Sequence, residues 1–466
     1  MRSTLLPMHM PGHKRRAAPF HGELPEALAR AFELDITEIK GADDLHDMQG
    51  ALLETAKLAA DLYGAQAAFP MVNGSTGGIL AAVRAAARAG GGTSIIIPRA
   101  AHCSVYNAAE LCGLEPVMLP PAYTDAAGVA GGVLPETVRA ALESSPGAAA
   151  VLIASPTYEG VVSDVAAIAE IAHARGLPLI VDAAHGAHFG FSEKFPQNAS
   201  RLGADIEIVS LHKTLPALTQ AALALVSGDI IGPRGLEREL RVFETSSPSY
   251  ILLESITACL KLLKARAGEL FAEYEENLSR VYQDLAALKN LRLLSETGNT
   301  AAVPRDIGKL VITTNNSGMT GPALADTLRD KHGIELEMAA PGFALAMTSV
   351  FDTRETLGAL SRALIEIDSG VGRGRRDHTP RADIPRRAMS IQDARSADGE
   401  LIKIDEAIGR TALEYVWAYP PGVPIVVPGD VIDGDAIRAV RALTEAGVTP
   451  KSDAGALPYI TVDIKT

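Results

Sequence analysis

The stretch VSLHKTLPALTQ closes a short apolar run at Ser210 and follows it with His212 and Lys213. A lysine at the mouth of a buried strand is usually solvated or ion-paired. Desolvation or a nearby cation lowers its pKa, however, and a neutral amine can form a Schiff base with an aldehyde. Other stretches of the same build come earlier. In VNGSTGGILAAVRAAARAG a turn rich in glycine and hydroxyls opens an Ala-rich helix. Its backbone N–H groups and the positive helix end suit an anion such as phosphate, with Ser75 and Thr76 as O–H donors. An ordinary N-cap with glycine in the turn gives the same pattern. In IPRAAHCSV, His102 stands just past an apolar run, where it could stack on a planar ligand, move a proton, or simply cap a helix. In LIVDAAHGAHFGF, Asp182 ends an apolar run, and a carboxylate there is costly unless paired. His185 and His188 raise a metal-site alternative, but there is no HExxH pattern and further ligands are lacking, so no metal is expected.

Each residue alone reads as well in a structural role. Their order along the chain changes that. An anion-binding turn, a planar stacking group, a buried carboxylate and a lysine fall at successive strand ends. Pyridoxal 5'-phosphate needs this set: donors for its phosphate, a carboxylate to keep its pyridinium protonated, and an amine for its aldehyde.

These residues require a parallel sheet to position them. TSIIIPRAAH, AAVLIASPTYEG, LPLIVDAAHGAH and ADIEIVSLHK each hold a short apolar run followed by small or polar residues. Helical stretches such as VAAIAEIAHARG lie between them. That alternation predicts βαβ units, an α/β fold with a mostly parallel sheet buried on both faces, and ligands at the carboxyl ends of its strands. GALLETAKLAADLYG predicts a helix stopped by Gly64, and the proline-free SYILLESITACLKLLKARAGELFAEYEENLSRVYQDLAALK predicts one or two long helices. Pro7, Pro11, Gly12 and Pro19 make residues 1–48 an irregular arm. We divide the rest into a large domain, 49–300, and a smaller carboxyl-terminal α/β part, 301–466. The latter opens with GKLVITT and holds an exposed Arg/Pro-rich loop near 371–388.

A chain of 466 residues is long for one core, which supports that division. The net charge of −13 argues against nucleic-acid or membrane-surface partners, because phosphates would be repelled, and it suits small cationic substrates. Cys103, Cys112 and Cys259 show no disulfide or CxxC pattern. With no signal peptide and no apolar run of spanning length, a cytoplasmic setting is expected.

At this level the chain resembles the Orn/Lys/Arg decarboxylases, fold type I pyridoxal-phosphate enzymes. The resemblance runs through PMHMPGHK, ADDLHDMQGALLETAKLAADLYGA, VNGSTGG, PRAAHCSV, SPTYEGVVSDV, VDAAHGAHFGF, VSLHKTLPALTQ, ETSSPSYILLESI and EAIGRTALEYVWAYPPGVPIVVPGD, in the family order. The size resembles the shorter bacterial members. The resemblance implies that Lys213 carries the cofactor aldehyde, Asp182 pairs with the ring nitrogen and His102 stacks on the ring. It implies that Ser75, Thr76, Ser210 and His212 surround the phosphate, and that His185 orients the ring or its hydroxyl. It implies dimers or higher even oligomers with sites at the interface, to which the PGHK arm, Thr245 and Ser246 could contribute. The implied activity is decarboxylation of arginine, lysine or ornithine, arginine slightly favoured, feeding polyamine metabolism. Asp43, Asp44 and Glu414 are candidate partners for the substrate's distal cation. Two positions depart from the pattern: Ala183 stands where an acidic residue is common, and a methionine in PMHMPGHK replaces a small polar residue. An aminotransferase or lyase on the same fold, and an inactive cofactor-binding regulator, are the alternatives.

Overall fold

The computed structural model describes residues 6, 8–16, 25–122, 128–294, 304–374, 384–418, 422–453 and 457–464. Pro7 and Pro19 of the arm, the expected boundary at 300/301, the centre of the Arg/Pro-rich loop and residues 419–421 of the carboxyl-terminal signature lie outside these residues.

Seven short strands build the main sheet: β1 (Ala67–Met71), β2 (Ser94–Pro98), β3 (Glu115–Leu119), β4 (Ala148–Ala154), β5 (Leu179–Asp182), β6 (Ile206–Ser210) and β7 (Ala222–Val226). Their order is β1-β7-β6-β5-β4-β2-β3, and only β7 runs antiparallel to its neighbours. Side chains of a strand alternate between faces, and here both faces are apolar. Ile95, Ile97, Leu152, Ile180, Ile206 and Ile208 join one core, under the helix Gly74–Gly90. Ile96, Val151, Ile153, Val181 and Val209 join the other, under the helix Tyr250–Leu285. Each such side chain, fully buried, contributes roughly 1.5–3 kcal/mol. The sheet can therefore hold polar residues at its ends without losing its register.

That register sets the positions of the strand ends. Ala154 lies opposite Asp182, Asp182 opposite Ile208, Ser210 opposite Ala222, and Ala222 opposite Met71. The carboxyl ends of β1, β4, β5 and β6 thus share one edge. The helix Gly74–Gly90 lies close on the sheet because its first turns are small. A Cβ on Gly78 would stand 3.0 Å from Ile208 Cγ2.

The 36-residue helix Tyr250–Leu285 begins where Ser249 Oγ accepts from the N–H of Leu252. It leads to a second, antiparallel sheet, ordered β10-β11-β9-β8: β8 (Arg292–Leu293), β9 (Lys309–Thr313), β10 (Met338–Ala340) and β11 (Phe343–Met347). Tyr274 binds Thr348, whose hydroxyl donates to the carbonyl of Gly308. Further on, β12 (Gly399–Lys403) pairs with β16 (Tyr459–Asp463), and β13 (Val416–Ala418) lies between β14 (Val423–Val426) and β15 (Pro450–Ser452). Arg99 donates from beside β2 to the carbonyls of Pro424 and Ile425, so this last part is anchored on the main sheet. Among the described residues no helix is long and apolar enough to cross a membrane.

Asp368, near the end of the helix Arg354–Gly370, accepts from the N–H groups of Lys289, Asn290 and Leu291 at 2.7–2.8 Å. Burial pushes its pKa up, but the three N–H donors outweigh that and hold it below the usual range. Its contribution is present above the unfolded value of about 3.9 and is lost as pH falls through the folded one. Replacing Asp368 by Ala should lower stability by about 2–3 kcal/mol at neutral pH. The gap from the wild type in urea melts should shrink below about pH 4.

Candidate active site

The shared edge of the main sheet gathers most of the expected residues. Asp182 is the last residue of β5, and its carboxylate accepts from the N–H of Ala184 at 3.1 Å, which starts a tight turn. The turn buries His185 and His188 but points them at different partners. His188 Nε2 lies 3.2 Å from Asp306 Oδ1 and packs between Phe189 and Phe195. His185 faces Lys213 instead. Among the described residues no group of three His, Cys, Asp or Glu side chains is placed to hold a metal ion.

Ser210 ends β6, and the single helical turn Leu211–Thr214 carries Lys213. Lys213 Nζ lies 3.0 Å from His185 Nε2. Burial lowers the pKa of Lys213, against the pull of Asp182 and Glu337, so the amine loses its proton more readily than a surface lysine. His185 is shifted well below the usual histidine value, first by burial and then by the lysines beside it, and is neutral. Its ring also leans on Tyr158, with centroids 4.3 Å apart.

His102 caps the helix Cys103–Cys112. Its Nδ1 accepts from the N–H of Ser104 at 3.2 Å and lies 2.8 Å from Ser104 Oγ, which leaves Nε2 as the protonated nitrogen. Burial lowers its pKa; Asp182 opposes this and Lys213 adds to it, so the three groups feel one another across the strand ends. His212 Nδ1 donates to the carbonyl of Ala221 at 3.0 Å. Next to it, the carbonyl of Gln220 accepts from the N–H of Gly74. The β6–β7 connection thereby ties the lysine turn to the turn bearing Ser75 and Thr76.

That turn opens the helix Gly74–Gly90. Asn73 stands at its N-cap but does not cap it, because its amide donates to the carbonyl of Phe243. A helix end without a side-chain cap suits an anion. Ser210 and Thr214 also bury hydroxyl oxygens that have no hydrogen-bond partner among the described residues. A buried hydroxyl without a partner costs free energy, and a phosphate or ring oxygen at this edge would remove that cost. Uncapped helix N–H groups, orphaned hydroxyls, a depressed lysine and a strand-end carboxylate together fit pyridoxal phosphate.

Sequence reasoning missed three residues here. Lys309 Nζ lies 2.8 Å from His185 Nδ1, on the far side of the ring from Lys213. Tyr158 donates its hydroxyl to Glu337, and Lys309 Nζ sits over the Tyr158 ring. Lys309 opens the run KLVIT, where a lysine reads as solvated, yet it is 1% exposed. The remaining signal was Asp306 three residues earlier. Gly160 makes room for it: with φ +93°, a Cβ there would stand 2.8 Å from Lys309 Cβ.

The carboxylates weighed for a substrate cation are placed otherwise. Asp43 accepts from the N–H groups of Gln49, Gly50 and Leu52, and Asp44 from that of His46. Glu414 is buried against the N–H of Thr461. Glu337 and Asp182 are the carboxylates that act on Lys213. Thr245 offers its carbonyl to His46 Nε2, and Ala183 is buried with its N–H on the carbonyl of Ile208.

The fold is that of the α/β enzymes with a large, mostly parallel sheet. A lysine decarboxylase from Francisella novicida superimposes with a TM-score of 0.81 over 99% of this chain and 79% of its own, at 16% identity. Residues 4–302 match the major domain of Orn/Lys/Arg decarboxylase, and residues 379–448 match its carboxyl-terminal domain. The chain belongs to the Orn/Lys/Arg decarboxylase family. An arginine decarboxylase of Bacillus subtilis is 32% identical over 94% of this chain and 91% of its own length. One from Halalkalibacterium halodurans is 31% identical over 94% and 90%.

Glu244 closes the base of the phosphate-type turn, accepting from the N–H of Val72. Burial raises its pKa to about 7, with the Val72 and Asn73 N–H groups opposing. A raised carboxyl contributes stability below its unfolded value and loses it as pH climbs through 7. Glu244→Gln should therefore raise the melting temperature at pH 8 but not at pH 5, read by scanning calorimetry.

Proposed function

We propose that the protein decarboxylates a basic L-amino acid, arginine before lysine or ornithine, with pyridoxal 5'-phosphate as cofactor. The observation that carries this is Lys213: a half-buried amine with a lowered pKa, against a neutral histidine, at the strand end beside Asp182. Family membership supports the reaction class, and the arginine decarboxylases above support the substrate. The product amine would feed polyamine metabolism.

On this reading Lys213 holds the cofactor aldehyde, Asp182 the ring nitrogen and His102 a ring face. Ser75, Thr76, Ser210 and His212 hold the phosphate, and His185 the ring or its hydroxyl. The cofactor supplies an aldehyde and an electron-withdrawing ring that accepts the electron pair left when the bond from Cα to the carboxylate breaks. The chain's part is to aim the Lys213 amine and the Asp182 carboxyl at the ring and to return a proton to Cα. His102, with its proton on Nε2, and Lys213 are the proton carriers on this edge. Tyr158 and Lys309 of the second sheet close on His185 at this edge.

A second copy of the chain would cover the arm. Leu6, Met8 and Met10 are 61–84% exposed, and the helix Glu26–Leu34 buries none of its residues. Light scattering should give at least twice the chain mass.

A panel of amino acids with identification of carbon dioxide and amine tests the activity. Agmatine from arginine is expected; a keto acid would mean an aminotransferase. Lys213→Ala should reduce turnover to background, and Asp182→Asn by about a hundredfold or more. Full turnover in Lys213→Ala would remove the assignment.

A further inference from the structure

The helix Pro233–Phe243 ends on Glu244, whose carboxyl lies against the first turn of the helix Gly74–Gly90. Glu244 is 8% exposed. Its Oε2 accepts from the N–H of Val72 at 3.1 Å. Its Oε1 is buried and has no hydrogen-bond partner among the described residues. That oxygen faces Gly77, where a Cβ would stand 3.0 Å from it. Gly77 directly follows Ser75 and Thr76, whose N–H groups have no carbonyl to bind within the helix. Asn73 leaves them uncapped.

One helix end therefore faces two acids: the Glu244 carboxyl and, on the reading above, the phosphate of the cofactor. The end carries only about half an elementary charge, and like charges sharing a site drive one of them to its neutral form. Cations on the neighbouring elements are engaged elsewhere. Arg84 of the helix Gly74–Gly90 is held by Glu239, Arg241 by Glu237 and the carbonyl of His46, and His46 by the carbonyl of Thr245. Burial and the Val72 and Asn73 N–H groups are what act on Glu244. Protonation removes the repulsion. With Oε2 already accepting from Val72, the proton belongs on Oε1, an O–H donor for which the described residues hold no acceptor.

With this helix end taken as the seat of the cofactor's phosphate, we propose that Glu244 must be protonated for that phosphate to bind: the chain takes up a proton with its cofactor and holds the cofactor less tightly as that proton is lost. Glu244 acts on affinity and needs no contact with substrate. Its pKa of about 7 in the free protein puts the change near neutral pH. Below pH 7 the proton is already in place; each pH unit above 7 weakens binding by up to about tenfold.

The test compares the full-length protein, freed of cofactor, with Glu244→Gln, which has the shape of the protonated acid and no charge. The dissociation constant of pyridoxal phosphate is read by absorbance titration at pH 6 and at pH 8. Taking the ratio between the two proteins cancels the ionisation of the cofactor and of Lys213. The two should agree at pH 6. At pH 8 the wild type should bind about tenfold more weakly than the variant. A ratio that is the same at both pH values overturns the proposal. If Glu244→Gln does not fold, the wild type decides alone. Its preference for pyridoxal phosphate over pyridoxal, which lacks the phosphate, should fall about tenfold from pH 6 to pH 8, and a preference that holds or rises overturns the proposal. Cofactor bound with a constant ratio defeats the role of Glu244 alone; no cofactor bound by either protein defeats the cofactor reading, and the proposal with it.

Discussion

The pairing of Ala154 with Asp182 and of Asp182 with Ile208 is the constraint on which the rest of the site depends. A one-residue slip in a strand turns every side chain to the opposite face. Here a slip would take Asp182 out of reach of His102 and Lys213 and exchange the apolar residues packed in the two cores. The register is held by packing, since β5 and β6 are buried along their whole length. The polar edge is thus fixed by apolar residues that take no part in chemistry.

The second sheet acts on the same edge from outside. Asp306 binds the carbonyl of Gly160 through its N–H, and Val161 pairs with Arg305, so the connection after β4 and the entry to β9 form one unit. Through it a strand more than a hundred residues downstream places a lysine against the turn after β5. The cationic side of the edge is built by two sheets together, and its carboxylates, Asp182, Asp306 and Glu337, come from both as well.

The sequence made the chemistry-bearing strand ends legible because a buried parallel strand must end in a change from apolar to polar. β2, β4, β5 and β6, the helix Ala51–Tyr63 with Gly64 in the left-handed region behind it, and the long helix all follow from periodicity. β1, β3 and β7 did not stand out. AAFPM and EPVML each carry a proline, and ALALV is short with no chemical residue at its end. Lys309 was invisible for a different reason. A lysine at the start of an apolar run is solvated in nearly every fold, and only the tertiary contact with His185 reverses that. Glu414 shows the opposite case: its acidity suggested a substrate cation, and the burial that sets it against a backbone N–H in the last sheet is not readable from the sequence.

Gly160 and Lys309 stand 2.8 Å apart in the sense that matters, from a side-chain carbon the glycine lacks to one the lysine has. Two positions 149 residues apart therefore behave as one locus. Losing the lysine alone would not free the glycine, because any side chain at 309 keeps that carbon and φ +93° itself holds position 160 to glycine. Divergence there is therefore one-sided: position 309 can change its side chain, while position 160 stays glycine.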